Sequence, residues 1–233
     1  MTLLEAIDAR ASRRTYDGKP LSPEDARAIR SLIDGANAAS GLAFNLVENG
    51  NAFARLSKSY GMFSGVPALV AVAGKRNCPD LFFRLGYRGE RLVLEATRLG
   101  LGTCWVSGTF DRSSLGTGDD EVLAAVIAVG RAPARKTAKE RIISRLAGKR
   151  NVPVERYIDA DTEPPEWFLA GVRAALAAPS ALNAKPVRFR LRDGKAEAWL
   201  ERGTAAREID LGIAVAHFEI ASGVLPATGK SVD

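Results

Sequence analysis

Arg10, Ser12 and Arg14 stand at alternate positions in the run Arg10-Ala11-Ser12-Arg13-Arg14-Thr15-Tyr16. In an extended backbone, alternate side chains project to one side. Two permanently charged, forked guanidiniums then flank one hydroxyl, a set suited to an anionic group. On their own the same residues also read as a basic, solvated N-terminal turn. A second polar group lies in Ala178-Pro179-Ser180-Ala181-Leu182-Asn183-Ala184-Lys185-Pro186, where Ser180 offers a hydroxyl and Asn183 both a donor and an acceptor. A plain helix-to-strand loop has the same turn-rich composition. The third candidate is Trp105-Val106-Ser107-Gly108, in which glycine permits close backbone approach. Trp105 reads equally well as a core aromatic.

Other chemistry is excluded by scarcity. His217 is the only histidine, set in an apolar, helix-compatible run, so a satisfied or half-buried helix residue is expected there rather than a catalytic base. One imidazole supports neither a histidine metal site nor a Ser-His-Asp triad. The two cysteines, Cys78 and Cys104, form no CxxC and no secreted disulfide framework, which fits a reducing cytosol. Gly100-Leu101-Gly102-Thr103-Cys104-Trp105 lacks the third glycine of a dinucleotide fingerprint and follows a helix rather than a strand. No Walker A sequence is present. Residues 1 to 14 lack the roughly 7–15-residue apolar region of a signal peptide, and no run reaches the roughly 18 apolar residues that span a bilayer. A cytoplasmic protein with no membrane partner is expected.

The 233 residues include 33 basic and 27 acidic side chains, a formal charge of +6. Residues 131 to 150 hold eight of the basic residues against one acid, Glu140, and the rest of the chain is near neutral. No aromatic platform accompanies this basic stretch, so a nucleic-acid partner is not expected. Hydrophobic residues at 46% and charged residues at 26% fit one globular domain with a real core.

These candidates need elements to position them. Ser22-Pro23-Glu24-Asp25 is a strong helix start, and Ala26, Ile29, Ile33 and Ala36 continue at helical spacing to about Ala38. The pattern predicts strands over Leu42 to Val47 and Pro67 to Ala73, with a short helix over Asn51 to Tyr60 between them. The longest helix runs from about Pro79 to Leu99, although Gly86 and Gly89 each cost about 1 kcal/mol against alanine. Strands follow over Thr103 to Ser107 and Val122 to Val129. After Pro164-Pro165 a helix is predicted over Glu166 to Ala177, then a hairpin of Val187 to Arg192 and Ala196 to Leu200, and a helix over Ala205 to Ser222. Leu225 to Asp233 reads as a weakly ordered tail. The alternation gives an α+β or α/β body. The order of helix, loop, strand and later helix occurs twice, suggesting a duplication with halves at about 1–150 and 151–233.

Three motifs then point to one family. Arg10-x-Ser12-x-Arg14-x-Tyr16 resembles the Arg-x-Ser-x-Arg/Lys-x-Tyr/Phe opening of FMN-dependent nitroreductases. Ala178 to Phe189 resembles their Ala-Pro-Ser-Ser-x-Asn-x-Gln-Pro-Trp-x-Phe segment, with Lys185 in place of glutamine and Val187 in place of tryptophan. Leu99 to Trp105 resembles their Leu-Gly-Leu-Gly-Thr-x-Trp segment. In the common homodimers the Pro-Ser loop comes soon after the first motif, whereas here that place is held by Ala39 to Phe44. The late loop resembles the "putative TM nitroreductase" branch, in which one chain contains both halves of the usual dimer.

The resemblance implies a single α+β nitroreductase-like domain over 1–233, with a central mixed sheet flanked by helices and one FMN per chain. It implies FMN contacts from Arg10, Ala11, Ser12, Arg14, Trp105, Ser107, Gly108, Pro179, Ser180, Leu182 and Asn183. Lys149 and Arg150 resemble the family's later cations over the phosphate, with Lys136 or Arg141 as alternatives. It further implies hydride transfer from NADH or NADPH through flavin N5 to a nitro, quinone or related electron-poor small molecule in a ping-pong cycle. The flavin carries that chemistry, so no catalytic side chain and no metal are expected. A non-enzymatic FMN-binding protein on the same scaffold is the alternative. A monomer or weak homo-oligomer is expected.

Overall fold

A computed structural model describes residues 1–38, 41–135, 137–138, 140–142, 153–201, 203–230 and 232. The chain opens with α1 (Leu3–Ala9), where the Thr2 side chain accepts from the Glu5 amide and the Glu5 carboxylate accepts from the Thr2 amide. Helix α2 (Pro23–Asn37) starts as the sequence requires, with Ser22 Oγ accepting from the Asp25 amide and Pro23 in the first turn. Then come β1 (Asn45–Val47), α3 (Leu56–Ser59), β2 (Ala68–Lys75), α4 (Leu81–Arg98), β3 (Gly102–Val106) and β4 (Glu121–Gly130). The remainder is β5 (Ile158–Ala160), α5 (Glu166–Ala177), β6 (Val187–Arg192), β7 (Lys195–Leu200) and α6 (Ala205–Ser222).

The α+β class and the flanking helices are as expected, but the strands divide between two sheets. The first has the order β1-β2-β4-β3 and is antiparallel throughout. Among the named strands, mixed pairing occurs in the second, β5-β6-β7, where β5 runs parallel to β6 and β6 antiparallel to β7. Helix α4 explains the division because it is apolar on more than one face. Leu85, Leu92 and Val93 pack into the core of the first sheet with Val70 and Ile127. Phe83 and Tyr87 pack instead with Phe168, Phe189 and Phe218 of the second.

The glycines inside α4 have a packing reason. A Cβ on Gly86 would lie 2.2 Å from the Ile209 carbonyl oxygen, and one on Gly212 of α6 would lie 2.0 Å from the Phe83 carbonyl oxygen. Only glycine lets the two helix backbones meet this closely, which offsets its low helix propensity.

Four local expectations are corrected. The strand expected from Leu42 begins at Asn45, with Leu42 making a single bridge to Gly74. The helix expected over Asn51 to Tyr60 splits into a 3-10 turn, Asn51–Phe53, and α3. Strand β5 was not expected. The C-terminal segment is docked: Ala227 exchanges backbone hydrogen bonds with Ala196 and Ala198, and Lys230 pairs with Asp80 at 2.9 Å and Glu208 at 3.3 Å. Backbone pairing, Lys230, a bond from Arg88 Nε to the Val232 carbonyl at 3.1 Å and the packing of Val232 on the second core hold it, a mixed set that leaves no apolar period in the sequence. Among the described residues no helix is long and apolar enough to cross a membrane.

Candidate functional site

The first motif lies extended beside β3. Ser12 forms a parallel bridge with Thr103, and the Arg13 amide donates to the Thr103 carbonyl at 2.8 Å. Arg10 reaches across the molecule: its Nη2 donates to the Ala177 carbonyl oxygen at 3.3 Å, and its Nε stands 3.8 Å from Glu90 Oε1. That buried Nε has no hydrogen-bond partner. Arg14 is half-buried, and no described protein group accepts from its guanidinium. Its backbone amide donates to Glu140 Oε1 at 2.7 Å. Ala11 is also half-buried.

Glu140 ties the motif to the basic stretch. Its buried carboxylate also accepts from the amides of Thr15 at 3.2 Å and Thr137 at 2.9 Å, and from Arg13 Nε at 3.2 Å. Burial pushes this carboxyl upward, but the N–H bonds from Arg14, Arg13, Thr137 and Thr15 outweigh it and hold it at about 2. Lys149, Arg150 and the alternative Lys136 lie outside the described residues, and Arg141 is exposed.

Trp105 is half-buried on β3, its ring packed where a Cβ on Gly89 would lie 2.6 Å away. Its Nε1 donates to Glu90 Oε2 at 2.7 Å. Glu90 Oε1 faces His217 Nε2 at 2.8 Å, and both residues are fully buried. His217 is therefore a satisfied helix residue. Trp105 also packs against the apolar cluster of Ala178, Ile209 and Ile213, which includes the root of the Pro-Ser loop. Ser107 and Gly108 are exposed; the Ser107 carbonyl accepts from Arg112 Nη2 at 3.0 Å, and a Cβ on Gly108 would meet nothing within 4 Å. No hydrogen bond among the described residues joins these two to the other motif segments.

The loop after α5 is strained. Leu182, Asn183 and Lys185 have φ of 54°, 53° and 49°, left-handed values that cost non-glycine residues of order 1 kcal/mol or more each. Hydrogen bonds hold it there. The Ala181 amide donates to Asp210 Oδ1 at 2.9 Å, the Lys185 amide to Ser180 Oγ at 3.1 Å, and the Asn183 amide to the Ser180 carbonyl at 2.9 Å. Lys185 Nζ turns back to the Ala178 carbonyl. Burial, then the nearby Arg10, pushes the Lys185 ammonium down to about 8. Burial also raises the Asp210 carboxyl to about 6, and its Oδ2 has no partner. Pro179 and Ser180 border a small cavity with Lys185, Val187 and Asp210, while Leu182 is 96% exposed.

The structure thus gathers Arg10, Trp105 and the root of the 179–183 loop around Glu90, with Ser12 and Arg14 alongside. Glu90 and Asp210 were missed by sequence reasoning. The available signal for Glu90 was its place between Gly86 and Val93 on a buried helix stripe.

A family model described as "Putative TM nitroreductase" matches residues 2–222. No curated protein matches. A putative nitroreductase from Thermotoga maritima aligns with a TM-score of 0.63 at 21% identity, over 95% of this chain and 83% of that one. A nitroreductase family protein from Clostridium difficile aligns with a TM-score of 0.52 at 18% identity, over 70% and 100%. A third structure, described as a putative NADH dehydrogenase/NAD(P)H nitroreductase from Parabacteroides distasonis, gives 0.50 at 23% identity, over 66% and 95%. At these identities the likeness is one of fold.

Proposed function

Because the chain belongs to the putative TM nitroreductase family, we propose that it is an FMN-dependent oxidoreductase. It would pass electrons from NADH or NADPH to a nitro compound, a quinone or a related electron-poor small molecule. The carrying observation is the Arg10 guanidinium of the first motif bonded to Ala177, directly before the Pro179–Asn183 loop. One chain thereby brings both motif segments to one place, as fused halves of about 1–150 and 151–233 within one domain would.

The residues present fit FMN. Arg10 keeps a buried N–H without an acceptor, and the Arg14 guanidinium has no protein partner among the described residues, as a site for an anionic group requires. Exposed Leu182, held out by left-handed backbone, offers an apolar face for a flat ring beside Pro179. When bound, FMN supplies two-electron transfer between donor and acceptor. Arg10 and Arg14 would hold negative charge, Ser12 would add a hydroxyl, and Ser180 and Asn183 would fix the loop backbone. Trp105 acts from behind, through Glu90. Lys149 and Arg150 near the phosphate, and Ser107 and Gly108 near the ring, remain part of this reading on motif resemblance. The protein would act in the cytoplasm as a monomer or weak homo-oligomer, without nucleic acid or membrane.

Purified protein should absorb at roughly 370 and 450 nm, as bound flavin does. Anaerobic NADH or NADPH should bleach it rapidly; a stable yellow colour would favour a non-enzymatic flavin carrier. Arg14→Ala should weaken FMN binding about 10-fold or more while changing stability by less than about 0.5 kcal/mol. Colourless protein that takes up no added FMN would defeat the proposal.

A further inference from the structure

Glu90 on α4 and His217 on α6 are fully buried, and neither lies in a motif segment. His217 Nδ1 faces the Ala174 carbonyl oxygen at 3.1 Å, and Nε2 faces Glu90 Oε1 at 2.8 Å. Glu90 Oε2 accepts from Trp105 Nε1 at 2.7 Å, and Arg10 Nε stands 3.8 Å from Oε1.

The acceptors decide where the protons sit. A carbonyl oxygen only accepts, so Nδ1 carries a proton. One more proton must lie between Nε2 and Oε1. Glu90 also meets an indole N–H and a guanidinium, partners that suit its ionised form. Placing the second proton on the ring leaves Glu90 in that form, and the two charges then offset each other. Among the described residues, Lys185 is a further charged group near Arg10, and both Asp210 and Glu90 act on that ammonium. With Glu90 already matched, the Arg10 charge stays available to a ligand. With an uncharged group in place of His217, an ionised Glu90 would be matched by Arg10 instead.

We propose that Glu90 and His217 form a buried, mutually neutral ion pair that positions Arg10 and Trp105 and keeps the Arg10 charge free for an anionic ligand. Both are positioning residues, acting through Arg10.

Because His217 is the only histidine, a nitrogen-15 spectrum of the protein contains one imidazole. At pH 7.5 both ring nitrogens should carry protons; a neutral ring protonated at Nδ1 alone overturns the proposal. His217→Gln keeps an N–H for Glu90 and removes the charge, so FMN should bind about 10-fold more weakly. The double variant Glu90→Gln with His217→Gln should recover most of that loss, since Arg10 is again unmatched. An equal or deeper loss in the double variant, with both variants folded by thermal unfolding, would mean that the pair serves packing only. The affinity measurement rests on the flavin reading, whereas the ring spectrum does not. Wild-type protein that binds no FMN discards that reading, and the ring spectrum alone then decides the ion pair.

Discussion

Glu140 is the one acid in a stretch of basic residues, and it ties Thr137 of that stretch to the Arg13–Thr15 segment. Its carboxylate is buried against the amides of Arg14, Thr15 and Thr137 and the Arg13 side chain. Burial alone would raise its pKa, but these donors hold it at about 2 against an ordinary 4.5. A depressed carboxyl stabilises the fold fully above the ordinary value and loses that contribution as pH falls through the folded one. Glu140→Gln should therefore lose roughly 1–3 kcal/mol at neutral pH. The gap to wild type should narrow between pH 4.5 and about 2. Urea midpoints at several pH values test this, and curves that stay parallel down to low pH would refute it. Arg131 is likewise engaged by Asp25 at 2.8 Å, so its charge is not free positive surface.

Helices α4 and α6 meet through glycine, and glycine position separates two kinds of substitution. A Cβ on Gly35 of α2 would meet nothing within 4 Å. Gly35→Ala should raise stability by about 0.5–1 kcal/mol, the usual helix-interior gain. Gly86→Ala carries the same intrinsic gain, yet its Cβ would sit 2.2 Å from the Ile209 carbonyl oxygen, a backbone atom that cannot swing aside. It should lose at least about 2 kcal/mol through overpacking. Urea unfolding of both variants checks the pair, and a Gly86→Ala protein as stable as wild type would mean the helices are not this close. Element boundaries were readable where the chain carries its own punctuation. Pro164-Pro165 before α5, Gly223 after α6 and Asp193-Gly194 between β6 and β7 mark ends that the structure reproduces. Strand β5 was not readable, because three residues become a strand only through pairing with Phe189 to Leu191. The Arg10–Arg14 segment and the Pro179–Asn183 loop were legible from residue type. Glu90 was not, because among Arg84, Arg88 and Arg91 it reads as surface, and its partners lie 15 and 127 positions away.

At the scale of the molecule, α4 couples the two sheets. It supplies Leu85, Leu92 and Val93 to one core and Phe83 and Tyr87 to the other, so losing either core strips a wall from its neighbour. Coupling of this kind produces one cooperative transition rather than two. The three tryptophans allow a direct measurement. Trp105 packs with the first core, while Trp167 packs against the second and Trp199 lies on β7. A Trp167→Phe, Trp199→Phe protein then fluoresces from Trp105 alone. Its urea transition should coincide with that of the far-ultraviolet circular dichroism. Phe218 is fully buried in the second core, with ring centroids 5.7 Å from Phe168 and 5.2 Å from Phe189. Phe218→Ala in that background should cost about 3–5 kcal/mol. If the molecule is one unit, the Trp105 signal should shift by the full amount, although Trp105 is not among the residues grouped with Phe218 in that core. A Trp105 midpoint that stays put while the circular dichroism splits into two steps would show that the sheets fold as separate domains.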